Sequence, residues 1–140
     1  MQRVGHILLS GIVGMLTCGV LGFALFALLN LAEPMTAGET FGYGLIAGIV
    51  AAFLGFWIGA AVGAARLGLA GGALAGIGAT MLLVALYVTL SAGPERWLYF
   101  LNESRIIVLV MAIPLAGAGI AAALFNRMRG RPAPAVLPAE

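Results

Sequence analysis

Four long runs without a charged side chain dominate this chain: Ile7 to Leu31, Phe41 to Ala65, Leu67 to Ala92 and Ile106 to Phe125. A bilayer core about 30 Å thick takes roughly 20 helical residues to cross, so each run is long enough to span it. None alternates polar and apolar residues as a membrane strand does. Backbone amides in lipid must bond within their own segment, which selects helices. The sequence therefore predicts an all-α integral membrane protein: a left-handed four-helix bundle, up-down-up-down.

Composition closes the other classes. Only 9% of the 140 residues are charged, and 63% are hydrophobic. An ordinary soluble domain carries roughly 25% charge. So few charges cannot coat a soluble surface, and they exclude a soluble domain, a disordered chain and a nucleic-acid binder. Cys18 is the only cysteine and His6 the only histidine. That rules out an intrachain disulfide, a multi-cysteine metal site and a paired-histidine site within one chain. The expected cofactor and metal content is none.

The connections have distinct characters. Glu33 to Thr40 reads as an acidic turn, with Pro34 ending the first helix. The join at Arg66 is nearly absent, which predicts a tight hairpin of the second and third helices. Gly93 to Ser104 is the longest loop; its Trp97, Tyr99 and Phe100 have the composition of an interfacial aromatic belt. Residues 1–126 are expected to form the transmembrane domain. Residues 127–140, rich in Arg and Pro, are expected to be a poorly ordered cytoplasmic tail. The first run is too long for a signal-peptide core of roughly 7–15 residues, so the first helix is expected to be retained.

Arginine placement gives an orientation. Arg3, Arg66, Arg127, Arg129 and Arg131 flank one side of the four crossings, Arg96 and Arg105 the other. The second side also carries Glu33, Glu39, Glu95 and Glu103. Arginine collects on the cytoplasmic side, so both termini are expected there, in a bacterial-type cytoplasmic membrane.

Small residues recur at four-residue spacing. Gly55, Gly59 and Gly63 mark one stripe of the second helix, and Gly44 and Gly48 start a similar stripe one turn earlier; Gly68, Gly72 and Gly76, continued by Thr80, mark the third. Missing side chains let backbones approach, and close approach is what holds helices together in lipid. Joined by so short a turn, the two stripes are expected to face each other. They read either as intrachain packing or as an oligomer contact. Helix four has a smaller version, from Ala116 to Ala123. A fainter pattern is an internal repeat offset by about sixty residues, laying Leu9-Ser10-Gly11 on Leu69-Ala70-Gly71 and Pro34 on Pro94. Two such hairpins would share an orientation and be related by an axis along the membrane normal.

Chemistry at depth is sparse. No run holds Asp, Glu, Lys, Arg or His, so the embedded ionisable group of an ion-driven transporter is missing, as are the pairs an intramembrane protease needs. The polar groups near the helix centres are Thr17 and Cys18, Thr80, and Pro114, whose missing N–H frees the Val110 carbonyl. They are candidates for contacts to a neutral solute; the plainer reading gives each hydroxyl a bond within its own helix. His6 reads as a solvated flank, and Glu33, Glu39, Glu95, Glu103 and Asn102 as solvated loop polarity rather than a cation site.

The expected function is a non-enzymatic accessory or assembly subunit that works by helix packing. The alternative is a small homo-oligomeric transporter or channel for neutral or apolar solutes. The expected partners are the lipid bilayer and other membrane helices, in a homo-oligomer or a larger complex.

Overall fold

A computed structural model of the chain describes residues 2–32, 37–91, 93–96, 98–99, 102 and 105–130. It is all-α. The helices are α1 (Gln2–Ala32), α2 (Ala37–Ala65), α3 (Leu69–Ser91) and α4 (Arg105–Arg129), with a short 3-10 turn at Pro94–Arg96. All four helices are long and apolar enough to cross a membrane. Each element follows an apolar run, but four ends lie elsewhere than expected. The first helix, α1, begins at Gln2 rather than at Ile7. The helix of α2 already holds Ala37 to Thr40, where no proline interrupts it. Leu67 and Gly68 belong to the turn before α3 rather than to the helix. Beyond Phe125, α4 continues to Arg129. Residues 33–36, Trp97, Phe100, Glu103, Arg131 and the Pro-rich segment after it lie outside the described residues.

The radial order of side chains is inverted relative to a soluble protein. Large apolar residues point outward: Val20 is 68% exposed, Leu82 71% and Leu90 79%. Trp57 also faces out, at 59% exposed, edge-on to Phe53 and Phe56. The inside is built from smaller groups. Ser10, Cys18, Thr80, Ala118 and Ala122 are fully buried. A continuous apolar exterior of this extent is foreign to soluble monomers and suits a lipid surround.

Which helices touch departs from expectation. The closest pairs are α1 with α2 and α3 with α4; α4 also packs against α1 and α2. Despite their short link, α2 and α3 make little contact, and among the described residues α3 does not contact α1. The expected tight α2–α3 hairpin is therefore absent. A short turn fixes where two helix ends meet but not which faces meet. The small-residue face of α2 is covered by α1, and that of α3 by α4. One core cluster joins Cys18 of α1, Ile58 and Val62 of α2, and Leu115, Ala118, Ala122 and Ala123 of α4. A second, Val84 and Val88 with Val108, lies between α3 and α4.

The α2–α3 turn explains how the chain leaves one face for another. Arg66 has φ 51°, in the left-handed region. The Leu67 N–H donates to the Val62 carbonyl at 3.1 Å, which closes α2 with a left-handed C-terminal cap. The Gly72 N–H donates to the Gly68 carbonyl at 2.8 Å and opens α3.

Candidate functional site

The tightest contacts are glycine crossings. A Cβ placed on Gly55 would strike Cys18 and the Gly14 carbonyl; one on Gly59 would strike the Ser10 carbonyl. At Gly63 it would lie 2.6 Å from the Ser10 Cβ. The α2 stripe thus meets Ser10, Gly14 and Cys18 of α1, itself a small-residue stripe at four-residue spacing. At the Ser10 level a side-chain bond is added: Ser10 Oγ donates to the Gly59 carbonyl at 2.9 Å.

The α3 stripe makes the same kind of contact with α4. A Cβ on Gly72 would strike the Gly119 carbonyl, and one on Gly76 the Leu115 carbonyl. The expected meeting of the two stripes does not occur. Two of the glycines singled out in the sequence have no close neighbour: a Cβ on Gly48 or Gly68 meets open space. Gly68 lies in the turn. Gly48 still lies near α1, its carbonyl 4.0 Å from a Cβ added at Gly19, but its own Cβ would meet no neighbour; at Gly44 the Phe26 ring lies 3.1 Å from an added Cβ.

The two hairpins share a contact register. Shifting α1 by 62 positions carries Ser10 onto Gly72, Gly14 onto Gly76 and Cys18 onto Thr80. Shifting α2 by 60 positions carries Gly55 onto Leu115, Gly59 onto Gly119 and Gly63 onto Ala123. Three contacts survive the shift: Ser10–Gly59 becomes Gly72–Gly119, Ser10–Gly63 becomes Gly72–Ala123 and Gly14–Gly55 becomes Gly76–Leu115, so one packing device is used twice. The sequence alignment that laid Ser10 on Ala70 is out of step with this register, because Ala70 faces outward while Gly72 is buried.

The candidate solute contacts do not converge. Cys18 is sealed against Gly55 in the α1–α2 contact. Thr17 faces α4, its methyl 4.0 Å from an added Gly117 Cβ. Thr80 donates its hydroxyl to the Gly76 carbonyl of its own helix at 3.0 Å. Pro114 is buried within a continuous α4. Thr17 lies beside Gly117 of α4, whereas Thr80 is on α3, which among the described residues does not contact α1.

The arginines do converge. Arg66, Arg127 and Arg129 line one cavity of about 920 Å³ with His6 and Asn126, between the start of α1, the α2–α3 turn and the end of α4. A neighbouring cavity of about 530 Å³ shares Arg66 and His6 and adds Arg3. One wall is an aromatic stack: the His6 ring lies 5.9 Å from Phe125, and the Arg129 guanidinium is 5.7 Å from the centre of the same ring. Asn126 ties the wall to α2, its Nδ2 donating to the Val62 carbonyl at 3.3 Å. Its buried Oδ1 has no hydrogen-bond partner among the described residues. The sequence marks Arg66, Arg127 and Arg129 for orientation only. Asn126, next to Arg127 and one turn beyond Ala122, is a signal it passes over.

No family model, curated protein or solved structure matches this chain.

Proposed function

We propose that the chain crosses a bacterial-type cytoplasmic membrane four times, up-down-up-down with both termini inside. In this reading it acts without catalysis, as an accessory or assembly subunit whose helices pack against other membrane chains. The observation that carries the reading is the use of polar groups at depth. Ser10 and Thr80 bond to backbone carbonyls inside the protein, Cys18 is sealed, and the outer surface is large and apolar. Beyond the Arg66 turn α3 makes little contact with α2 and, among the described residues, none with α1, so α4 is its main neighbour within the chain. The arginine-lined end supports the orientation, since arginine gathers on the cytoplasmic side.

Purification in a mild detergent tests the assembly role. A foreign membrane protein recovered in fixed stoichiometry supports it; a pure homo-oligomer overturns it. Reporter fusions at residue 37 and at the C-terminus test the threading and are expected in opposite compartments.

The repeated contact register favours a second reading, a homo-oligomeric transporter or channel for neutral or apolar solutes. Parallel repeats about an axis along the membrane normal are one architecture of transporters. Water access to the helix centres separates the two readings.

A further inference from the structure

We propose that the arginine-lined pocket binds a phosphate group, carried by the headgroup of an anionic phospholipid of the inner leaflet. This rests on the reading of the chain as membrane-spanning. Three guanidinium groups, those of Arg66, Arg127 and Arg129, line one cavity. Neither Arg66 nor Arg127 has a charged or hydrogen-bonding partner among the described residues. Guanidinium forks pair with phosphate oxygens through short, charge-assisted bonds. The Arg129 guanidinium lies 5.7 Å from the centre of the Phe125 ring, which places a third fork at the cavity wall.

Two further features select the carrier. The lower wall is apolar: Leu9, Leu67 and Leu69 line the same cavity, and Leu9 is 40% exposed. A free anion gains nothing from that wall, whereas the first carbons of an acyl chain would cover it. Asn126 also lines the cavity, and its buried Oδ1, which lacks a donor among the described residues, would reach the cavity by a rotation of the side chain. A headgroup hydroxyl, such as that of a glycerol, supplies one. Basic pockets between helices on the cytoplasmic side are suited to acidic lipid headgroups, with each nearby arginine adding attraction.

The test uses the full chain in detergent micelles, with bound lipid counted by native mass spectrometry. Phosphatidylglycerol, phosphatidylcholine and inorganic phosphate are supplied in separate arms. Phosphatidylglycerol is expected to be retained at least about tenfold more strongly than phosphatidylcholine, and the double variant Arg66→Gln/Arg127→Gln to lose that preference. The double variant Arg96→Gln/Arg105→Gln removes the same charge at the opposite end and is expected to keep it. Arg127→Gln alone, on a solvent-facing helix end, is expected to give a partial loss and guards against misfolding at the Arg66 turn. Equal retention of the two lipids, or loss of preference in the opposite-end variant, would overturn the site. If inorganic phosphate displaces phosphatidylglycerol at equal concentration, the phosphate site stands and the lipid carrier falls. An alkaline carbonate wash of the source membranes reads the underlying assumption separately. Release of the chain overturns both readings; retention of the chain without lipid preference overturns the pocket alone.

Discussion

Ser10 and Gly59 are joined across α1 and α2 by a buried hydrogen bond, the serine hydroxyl donating to the glycine carbonyl at 2.9 Å. The bond sits where the two backbones come so close that Gly59 has no room for a side chain. Glycine makes the approach, and the approach brings the carbonyl within reach of a hydroxyl. Interhelical bonds of this kind in membranes average about 0.6 kcal/mol. Ser10→Ala is therefore expected to cost about that much, because the glycine packing survives. Ser10→Leu should cost several times more, since the side chain would enter the space beside Gly63. Steric-trap unfolding of the reconstituted protein measures both; equal costs would contradict this division between bond and packing.

The glycines divide into two groups with opposite expected responses. Gly55→Ala and Gly119→Ala place a methyl into a neighbouring backbone or Cβ. Overpacking of this kind costs roughly 1–3 kcal/mol. Gly78 is exposed on α3 with nothing within 4 Å of an added Cβ. There alanine meets no obstacle, and its better helix propensity gives a gain of up to about 1 kcal/mol. Thermal or denaturant unfolding of the three variants checks the signs. A destabilising Gly78→Ala would mean that a partner chain occupies that face.

The contrast between these glycines also marks how far the sequence could be read. The four long apolar helices were legible because length and the absence of charge are properties of each run alone. Pairing was not. A stripe such as Gly55-Gly59-Gly63 announces a face that packs, but any other small-residue face can answer it. Proximity along the chain pointed to Gly68-Gly72-Gly76, whereas the partner is Ser10-Gly14-Cys18. That stripe has the same spacing, but its mixed residue types make it less visible than a run of glycines. The second partner, Leu115-Gly119-Ala123, is hidden in the same way. The cluster of Arg66, Arg127 and Arg129 was legible one residue at a time, as an orientation signal. Its convergence on one cavity depends on α4 running beyond Phe125 and on the sharp turn at Arg66, neither of which a hydropathy pattern contains.

Cys18 reports on water at the helix centres. It is fully buried, packed against Gly55 and part of the central cluster. A membrane-impermeant maleimide added to intact membranes is expected to leave it unlabelled, with labelling appearing only after denaturation. Cys18 is the only thiol, so the background is low. Rapid labelling of the native protein would mean that an aqueous path reaches mid-depth, and would turn the choice toward the solute-conducting reading.

Arg66 places two demands on one position. Its φ of 51° is the only left-handed value at a non-glycine among the described residues. That conformation costs an L-residue roughly 1–2 kcal/mol, and glycine is the usual occupant of such a cap. The chain nevertheless has arginine there, at the mouth of the basic cavity. Arg66→Gly is expected to keep the bond from Leu67 N–H to Val62 and to relieve the strain, raising stability by about 1 kcal/mol over Arg66→Ala. Both variants remove the same charge, so both are expected to weaken retention of phosphatidylglycerol to a similar degree. Relative to the native chain, the glycine variant would therefore be the firmer fold and the poorer lipid binder. Unfolding free energy and lipid retention, measured on the same two preparations, separate the backbone requirement from the charge. Equal stability of the glycine and alanine variants would show that the turn is not left-handed in the bilayer.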